Sequence, residues 1–162
     1  MQANQPPSPE AAPATRVLRQ FRVVFNAVKT HFRNVEKTAG IGGSQLWALS
    51  VIQQQPGIGV NGLARALDIH QTTASNLVKA LVAQGLIEQS KDGADRRAVA
   101  MTLSPAGEAS LRKAPMPFAG VLPDALASMD AATLARMEQD LNTLILALAA
   151  GNAGADTPLS DL

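Results

Sequence analysis

Gln71, Thr72, Thr73, Ser75, Asn76 and Lys79 gather amides, hydroxyls and one ammonium along a stretch whose apolar residues Leu77, Val78 and Leu81 fall at helical spacing. Hydroxyls and amides both donate and accept hydrogen bonds, so such a face suits base edges and phosphate oxygens in a major groove, and a lysine neutralises phosphate. The unpaired amides at the start of a helix add a pull on phosphate. Taken alone, such a face is more often that of an ordinary solvated helix. A second group stands downstream. Arg96 and Arg97, beside Asp92 and Asp95, lie in the charged run Lys91 to Arg97. On a hairpin loop they would reach a minor groove or a flanking phosphate, one arginine held by an aspartate and the other free. A salt-bridged hairpin tip is the plainer reading of the same residues.

Positioning these groups requires an ordered set of elements. Ser44 is a plausible N-cap for a helix running to Gln55, which Pro56-Gly57 ends. A short helix from about Val60 to Leu67 follows, then an Asp-Ile-His turn, then a helix from about Gln71 to Gln84 with Gly85 suited to the left-handed position beyond its end. Leu63, Ala64 and Leu67 supply the inner face of the first of these two helices, and Ile69 plugs the turn. Leu86–Ser90 and Ala98–Leu103 are short enough for strands around the charged loop, and Ser104-Pro105 offers an N-cap with proline at N1 for another helix. The order helix, helix, helix, strand, charged loop, strand is a winged helix-turn-helix.

The flanks read differently. Apolar residues Val17, Leu18, Phe21, Val24, Phe25, Val28, Phe32 and Val35 step by three and four, which predicts one striped helix from Arg16 to Lys37, broken by Gly40, Gly42 and Gly43. Asp130 caps a last helix to about Ala149, in which Leu134, Met137, Leu141, Leu144 and Leu148 form a heptad-like seam. Within the small central unit that seam has no obvious large partner, so it points to a dimer. The stretch 11–43 holds six basic residues against one acid, and 114–162 one basic residue against six acids. Opposite charge on the two ends favours their packing together, within a chain or between two. Pro6, Pro7, Pro9 and Pro13 mark residues 1–15 as a disordered tail, and 151–162, opening with Gly-Asn-Ala-Gly, reads as a flexible one.

Composition removes whole classes of function. The 162-residue chain suits one compact domain by the prior of roughly 150 residues per domain. It has no cysteine, which excludes a disulfide framework, a thiolate metal site and cysteine redox sensing. Its only histidines are His31 and His70, too few for a multi-histidine metal cage. No phosphate loop, His-Glu-x-x-His helix or carboxylate–histidine cluster is present, and the glycines at 40–43 follow a helix rather than a strand, so no enzyme and no cofactor are expected. No apolar run reaches the ~18 residues of a membrane span, and the start carries no secretory signal. The expected location is the cytoplasm.

From Leu46 to Gly107 the chain resembles the MarR family of bacterial transcriptional regulators. The matching residues are Leu63-Ala64, Thr72-Thr73-Ala74-Ser75-Asn76-Leu77-Val78, Gly85-Leu86-Ile87, and Asp95-Arg96-Arg97 through Leu103-Ser104-Pro105-Ala106-Gly107. The resemblance implies a mainly α fold with a small β-hairpin wing: a winged helix-turn-helix lobe over 44–107 and a helical dimerisation stem from both termini, 16–38 and 108–150, together one domain over 16–150. It implies a homodimer that binds double-stranded DNA at a palindromic operator, repression as the commoner mode, and Gln71, Thr72, Thr73, Ser75, Asn76, Lys79, Arg96 and Arg97 as the DNA contacts. Two departures stand out. Asn76 and Ala80 occupy positions where relatives often carry arginine, and Pro115 to Pro123 breaks what is often one long helix.

Relatives are often released from DNA by small aromatic or phenolic anions bound between lobe and stem. The candidates here are His31, Arg33 and Trp47, beside Phe32, which could hold a carboxylate or phenolate against aromatic surface. The plainer reading makes Phe32 and Trp47 core and Arg33 solvated. The rival to DNA binding is a winged-helix module that contacts protein instead.

Overall fold

The computed structural model describes residues 12–91, 99–149, 151 and 154–162. Elements run α1 (Pro13–Ala39), α2 (Gly43–Gln54), α3 (Val60–Leu67), α4 (Gln71–Ala83), β1 (Ile87–Lys91), β2 (Val99–Leu103), α5 (Pro105–Lys113), α6 (Val121–Ala127), α7 (Ala131–Ala147) and a closing 3-10 turn (Leu159–Asp161). The fold is mainly helical with one antiparallel hairpin, in the winged-helix order expected.

Several boundaries follow from local chemistry. Helix α1 begins at Pro13 rather than Arg16, because a proline at N1 gives up an amide that has no helical partner in any case. That moves residues 13–15 out of the expected tail; residues 1–11 lie outside the described residues. Gly40 closes the helix at φ 71°, its amide donating to the Glu36 carbonyl. The N-cap of α2 is Gly42 and not Ser44: the Gln45 side chain turns back to accept from the Gly42 amide at 3.2 Å, and the Ser44 hydroxyl is drawn to Asp161.

The turn between α3 and α4 is built from Asp68 in the left-handed region at φ 52°, followed by the buried Ile69, whose amide donates to the Ala64 carbonyl. Helix α4 ends with the Gly85 amide donating to Val82 and the Leu86 amide to Leu81, the paired bonds of a Schellman motif, with Gly85 at φ 67°. Strands β1 and β2 pair from Ile87 opposite Leu103 to Lys91 opposite Val99. A contribution the sequence did not signal is a third edge, where Gly57 donates to the Met101 carbonyl and Met101 to that of Ile58.

These elements enclose one core. Leu46, Leu49 and Ile52 of α2, Leu63 and Leu67 of α3, Leu81 of α4, Met101 of β2 and Val35 of α1 are its largest fully buried members. Burial of each leucine or isoleucine stabilises the lobe by roughly 1.5–3 kcal/mol against its exposed state. The hairpin is fastened to α5 at Ser104. Its amide donates to the Leu86 carbonyl, its hydroxyl donates to the Gly85 carbonyl at 2.6 Å, and the same oxygen accepts from the Gly107 amide at 3.1 Å as the N-cap of α5.

Outside the lobe, packing thins. The Pro115–Pro123 stretch does interrupt the helical course: α5 stops at Lys113 and only the short α6 precedes α7. Helix α7 buries none of its residues, and α1 buries only His31 and Val35 near its end. The expected flexible segment 151–162 is not free throughout. Pro158 is buried, and the 3-10 turn lies against α1 and α2, because Pro158 and the Asp161 carboxylate find apolar and hydroxyl partners there that composition alone could not signal.

Candidate nucleic-acid interface

Helix α4 is held by Ala74, Leu77, Val78 and Leu81, all buried against the lobe. That fixes its rotation. Gln71, Thr72, Asn76 and Lys79 are exposed, and Thr73 and Ser75 are partly so. The six polar residues expected on this face therefore occupy the outer side and amino end of one helix. Lys79 is the only cation on α4, and Ala80, beside it, is partly buried.

The amino end of α4 carries a partner the sequence reading passed over. His70 is the N-cap, and its Nδ1 accepts from the Thr72 amide at 3.2 Å. One of the first amides of the helix is thus satisfied internally, so its remaining attraction for phosphate rests on the neighbouring amides and the helix dipole. The signal was available: a side-chain acceptor directly before the polar run is the usual cap position, although histidine is not among the favoured residues. Arg65, exposed on α3, shares an open surface groove with His70 and Gln71, where the carboxylates of Asp68 and Asp156 offset its charge.

The hairpin that would form the wing is present to Lys91 on one side and from Val99 on the other. Arg96 and Arg97 lie outside the described residues.

The stem-side candidates do not converge. His31 is buried, its ring set edge-on to Phe32 at 5.4 Å between centroids, and its Nε2 has no hydrogen-bond partner among the described residues. Arg33 is exposed. Trp47 and Phe32 line one cavity of about 40 Å³ with Gly43, Ser44, Pro123 and Pro158. A dry cavity of ~150 Å³ accepts benzene, so this space is too small for an aromatic ligand as it stands. Among the described residues no group of three His, Asp or Glu side chains could hold a metal ion, and no helix is long and apolar enough to cross a membrane.

Comparison with known proteins places this lobe. Residues 39–98 match the MarR family. Most of the chain is similar in fold to solved winged-helix proteins. A MepR-like protein complexed with pseudoligands superposes with a TM-score of 0.57 at 18% identity, covering 81% of this chain and 94% of that one. The S. aureus MepR–DNA complex gives 0.55 at 20% identity, with 85% and 99% covered. FabT of Streptococcus pneumoniae in complex with DNA gives 0.54 at 20%, with 84% and 97% covered. No curated protein matches the chain. At such identities the structural likeness is one of MarR fold, and the contact residues have to be judged on this chain's own geometry.

Proposed function

We propose that the chain is a sequence-specific DNA-binding transcription regulator without catalytic activity, acting as a homodimer on a palindromic operator and as a repressor. The observation that carries the reading is the outer face of α4, where Gln71, Thr72, Asn76 and Lys79 stand exposed on a helix locked in rotation by four buried residues. That the MepR and FabT structures are DNA complexes supports the same use of the same element here. The wing arginines Arg96 and Arg97 would add flanking phosphate contacts.

Dimerisation is supported by what the stem leaves uncovered. Along α1, Val17, Leu18, Val24 and Phe25 are 49%, 49%, 39% and 66% exposed at helical spacing, and along α7 and its C-cap Leu141, Leu144 and Leu148 are 42%, 37% and 66% exposed on one side. Contiguous apolar helix faces of this kind mark association surfaces. The basic α1 and the acidic end of the chain are charge-matched for that contact. Two lobes related by a two-fold axis would set half-sites one helical turn, ~34–36 Å, apart. Release by a small aromatic or anionic ligand is supported by Phe32 and Trp47 facing one cavity, which would have to widen to admit it.

Salt dependence tests the reading. Each phosphate neutralised contributes a slope of about −0.9 in log affinity against log salt. Lys79→Ala, removing one contact per protomer, should flatten the slope by roughly 2 on an operator fragment. Asn76→Ala should instead relax sequence choice. A folded dimer that binds neither a random pool of DNA sites nor its own upstream region would exclude DNA binding and favour the protein-contact alternative.

A further inference from the structure

The segment from Thr157 to Leu162 has the composition of a tail, yet it is seated in the cleft between α1 and α2. Pro158 is buried, and Pro158, Leu159 and Ser160 form one wall of the cavity that Phe32 and Trp47 line from the other side. The receiving surface is shaped to it at two adjoining residues. Gly43 has no space for a Cβ, which would run into the Phe32 ring and approach the Ser160 Cβ to 2.9 Å. Ser44, 7% exposed, donates its hydroxyl to Asp161 Oδ1 at 3.0 Å, and the Ser160 hydroxyl donates to the same oxygen at 3.0 Å. The Asp161 carboxylate therefore stands at the amino end of α2, where the helix dipole favours negative charge. Further back, Asp156 borders the surface groove formed with Arg65, His70 and Gln71, so the segment runs from the helix-turn-helix to the stem-side cleft.

The geometry points to an autoinhibitory strap: residues 157–162 are an internal occupant of the α1–α2 cleft, closing it to outside molecules and clamping the stem helix to the lobe. A molecule reaching Phe32 and Trp47 must first displace Pro158 and the Ser44–Asp161 bond. Its apparent affinity is then reduced by the fraction of chains in which the strap is open. The inference concerns closure of the cleft alone and stands whether or not the lobe binds DNA.

Trp47 is the only tryptophan in the chain, so its fluorescence reports the cleft directly. The full chain is compared with Pro158→Asp, which forces a charge into the buried position, and with Asp161→Ala and Ser44→Ala, which remove the hydrogen bond from either side. Acrylamide quenching of Trp47 should rise about twofold or more in Pro158→Asp. Losing one hydrogen bond multiplies the open population by about 5, so amides of residues 157 and 159–162 should exchange about five times faster in Ser44→Ala and at least as fast in Asp161→Ala, with α4 amides unchanged. The Ser44→Ala/Asp161→Ala double variant should exchange no faster than Asp161→Ala alone, since the Ser44 bond is already absent there. Wild-type exchange of residues 157–162 at the unprotected rate overturns the strap, as does full additivity of the two single variants. Should Pro158→Asp lose helicity by circular dichroism, the Ser44 and Asp161 variants decide the matter by themselves.

Discussion

Replacing Gly107 by alanine sets two effects of opposite sign against each other. Gly107 lies in the first turn of α5, and exchange of glycine for alanine inside a helix ordinarily stabilises by about 1 kcal/mol. Here the added Cβ would lie well inside the ~3.3 Å at which carbon and a carbonyl oxygen ordinarily touch, against the Leu86 oxygen. That oxygen belongs to backbone and cannot swing aside as a side-chain tip could. It also accepts from the Ser104 amide at 3.1 Å, while the Ser104 hydroxyl holds Gly85 at 2.6 Å. Relief by a shift of roughly 1 Å would stretch both bonds, each worth about 1 kcal/mol net, and overpacking strain typically adds 1–3 kcal/mol. The clash wins, with an expected net loss of about 2 kcal/mol. For a chain of this length that corresponds to a fall of about 4–8 °C in Tm. Urea unfolding at fixed protein concentration measures it, as a lower midpoint with unchanged slope. Gly85→Ala is the control: it meets nothing within 4 Å, and its φ of +67° should cost only about 1–2 kcal/mol. A Gly107→Ala protein as stable as wild type would refute the close approach of α5 to the hairpin, and with it the account of how the wing is aimed.

Other perturbations probe separate links. Ser104→Ala leaves the Gly85 carbonyl and the Gly107 amide without their partner at a buried junction, and should lower stability by about 2–3 kcal/mol in the same urea assay. Leu144→Glu places a charge on the seam of α7 without disturbing the lobe; wild type should sediment at twice the 16.9 kDa chain mass and the variant at 16.9 kDa, and a monomeric wild type would end the dimer reading. Asp130, the N-cap of α7, accepts from the Thr133 hydroxyl and amide, which hold its carboxyl below the ordinary 3.8. A lowered folded-state value means its contribution is complete above the unfolded value and is lost as pH falls through the folded one. Protection of the first-turn amides of α7, taken relative to their intrinsic exchange rates, should therefore fall on acidification below about pH 4, and a carboxyl carbon titrating at or above 3.8 would contradict the cap.

What the sequence made legible was chemistry that acts over one turn. Gly85, Ser104-Pro105 and Asp130 each stop or start a helix through bonds that span three to five positions, and each does so in the structure. The contacts that escaped it are long-range. Ser44 has the composition of an N-cap, but its hydroxyl is bonded to Asp161, 117 residues on, and the cap passes to Gly42. The bridge from Gly57 and Ile58 to Met101 lacks any alternating pattern of its own, since one pair of backbone bonds needs no particular side chain. On α4 the buried face was readable from period 3.6, and the exposed face followed by subtraction. The same logic faltered at His31, Arg33 and Trp47, where residue type suggested a common site but the helix rotation turns Arg33 to solvent while His31 is buried.

Periodicity also has a limit of principle, visible in α7. Its Leu134, Met137, Leu141, Leu144, Leu148 stripe is as regular as any core helix, yet none of these residues is buried. A stripe states that a helix has an apolar side; it does not say what covers it. In α4 the lobe covers that side, so rotation is fixed within the chain and the polar residues are presented without help. In α7 the described residues cover that side only in part: Leu134 and Met137 are half-buried, while exposure of 42% at Leu141 and 66% at Leu148 leaves the helix with an unmet requirement. The two helices thus divide the proposed task. On the proposed reading, recognition would be specified by one chain folded on itself, whereas the spacing between two recognition helices would be specified only once a second copy meets that requirement. Disrupting α7 should therefore cost operator affinity through lost two-site engagement while each lobe keeps its fold.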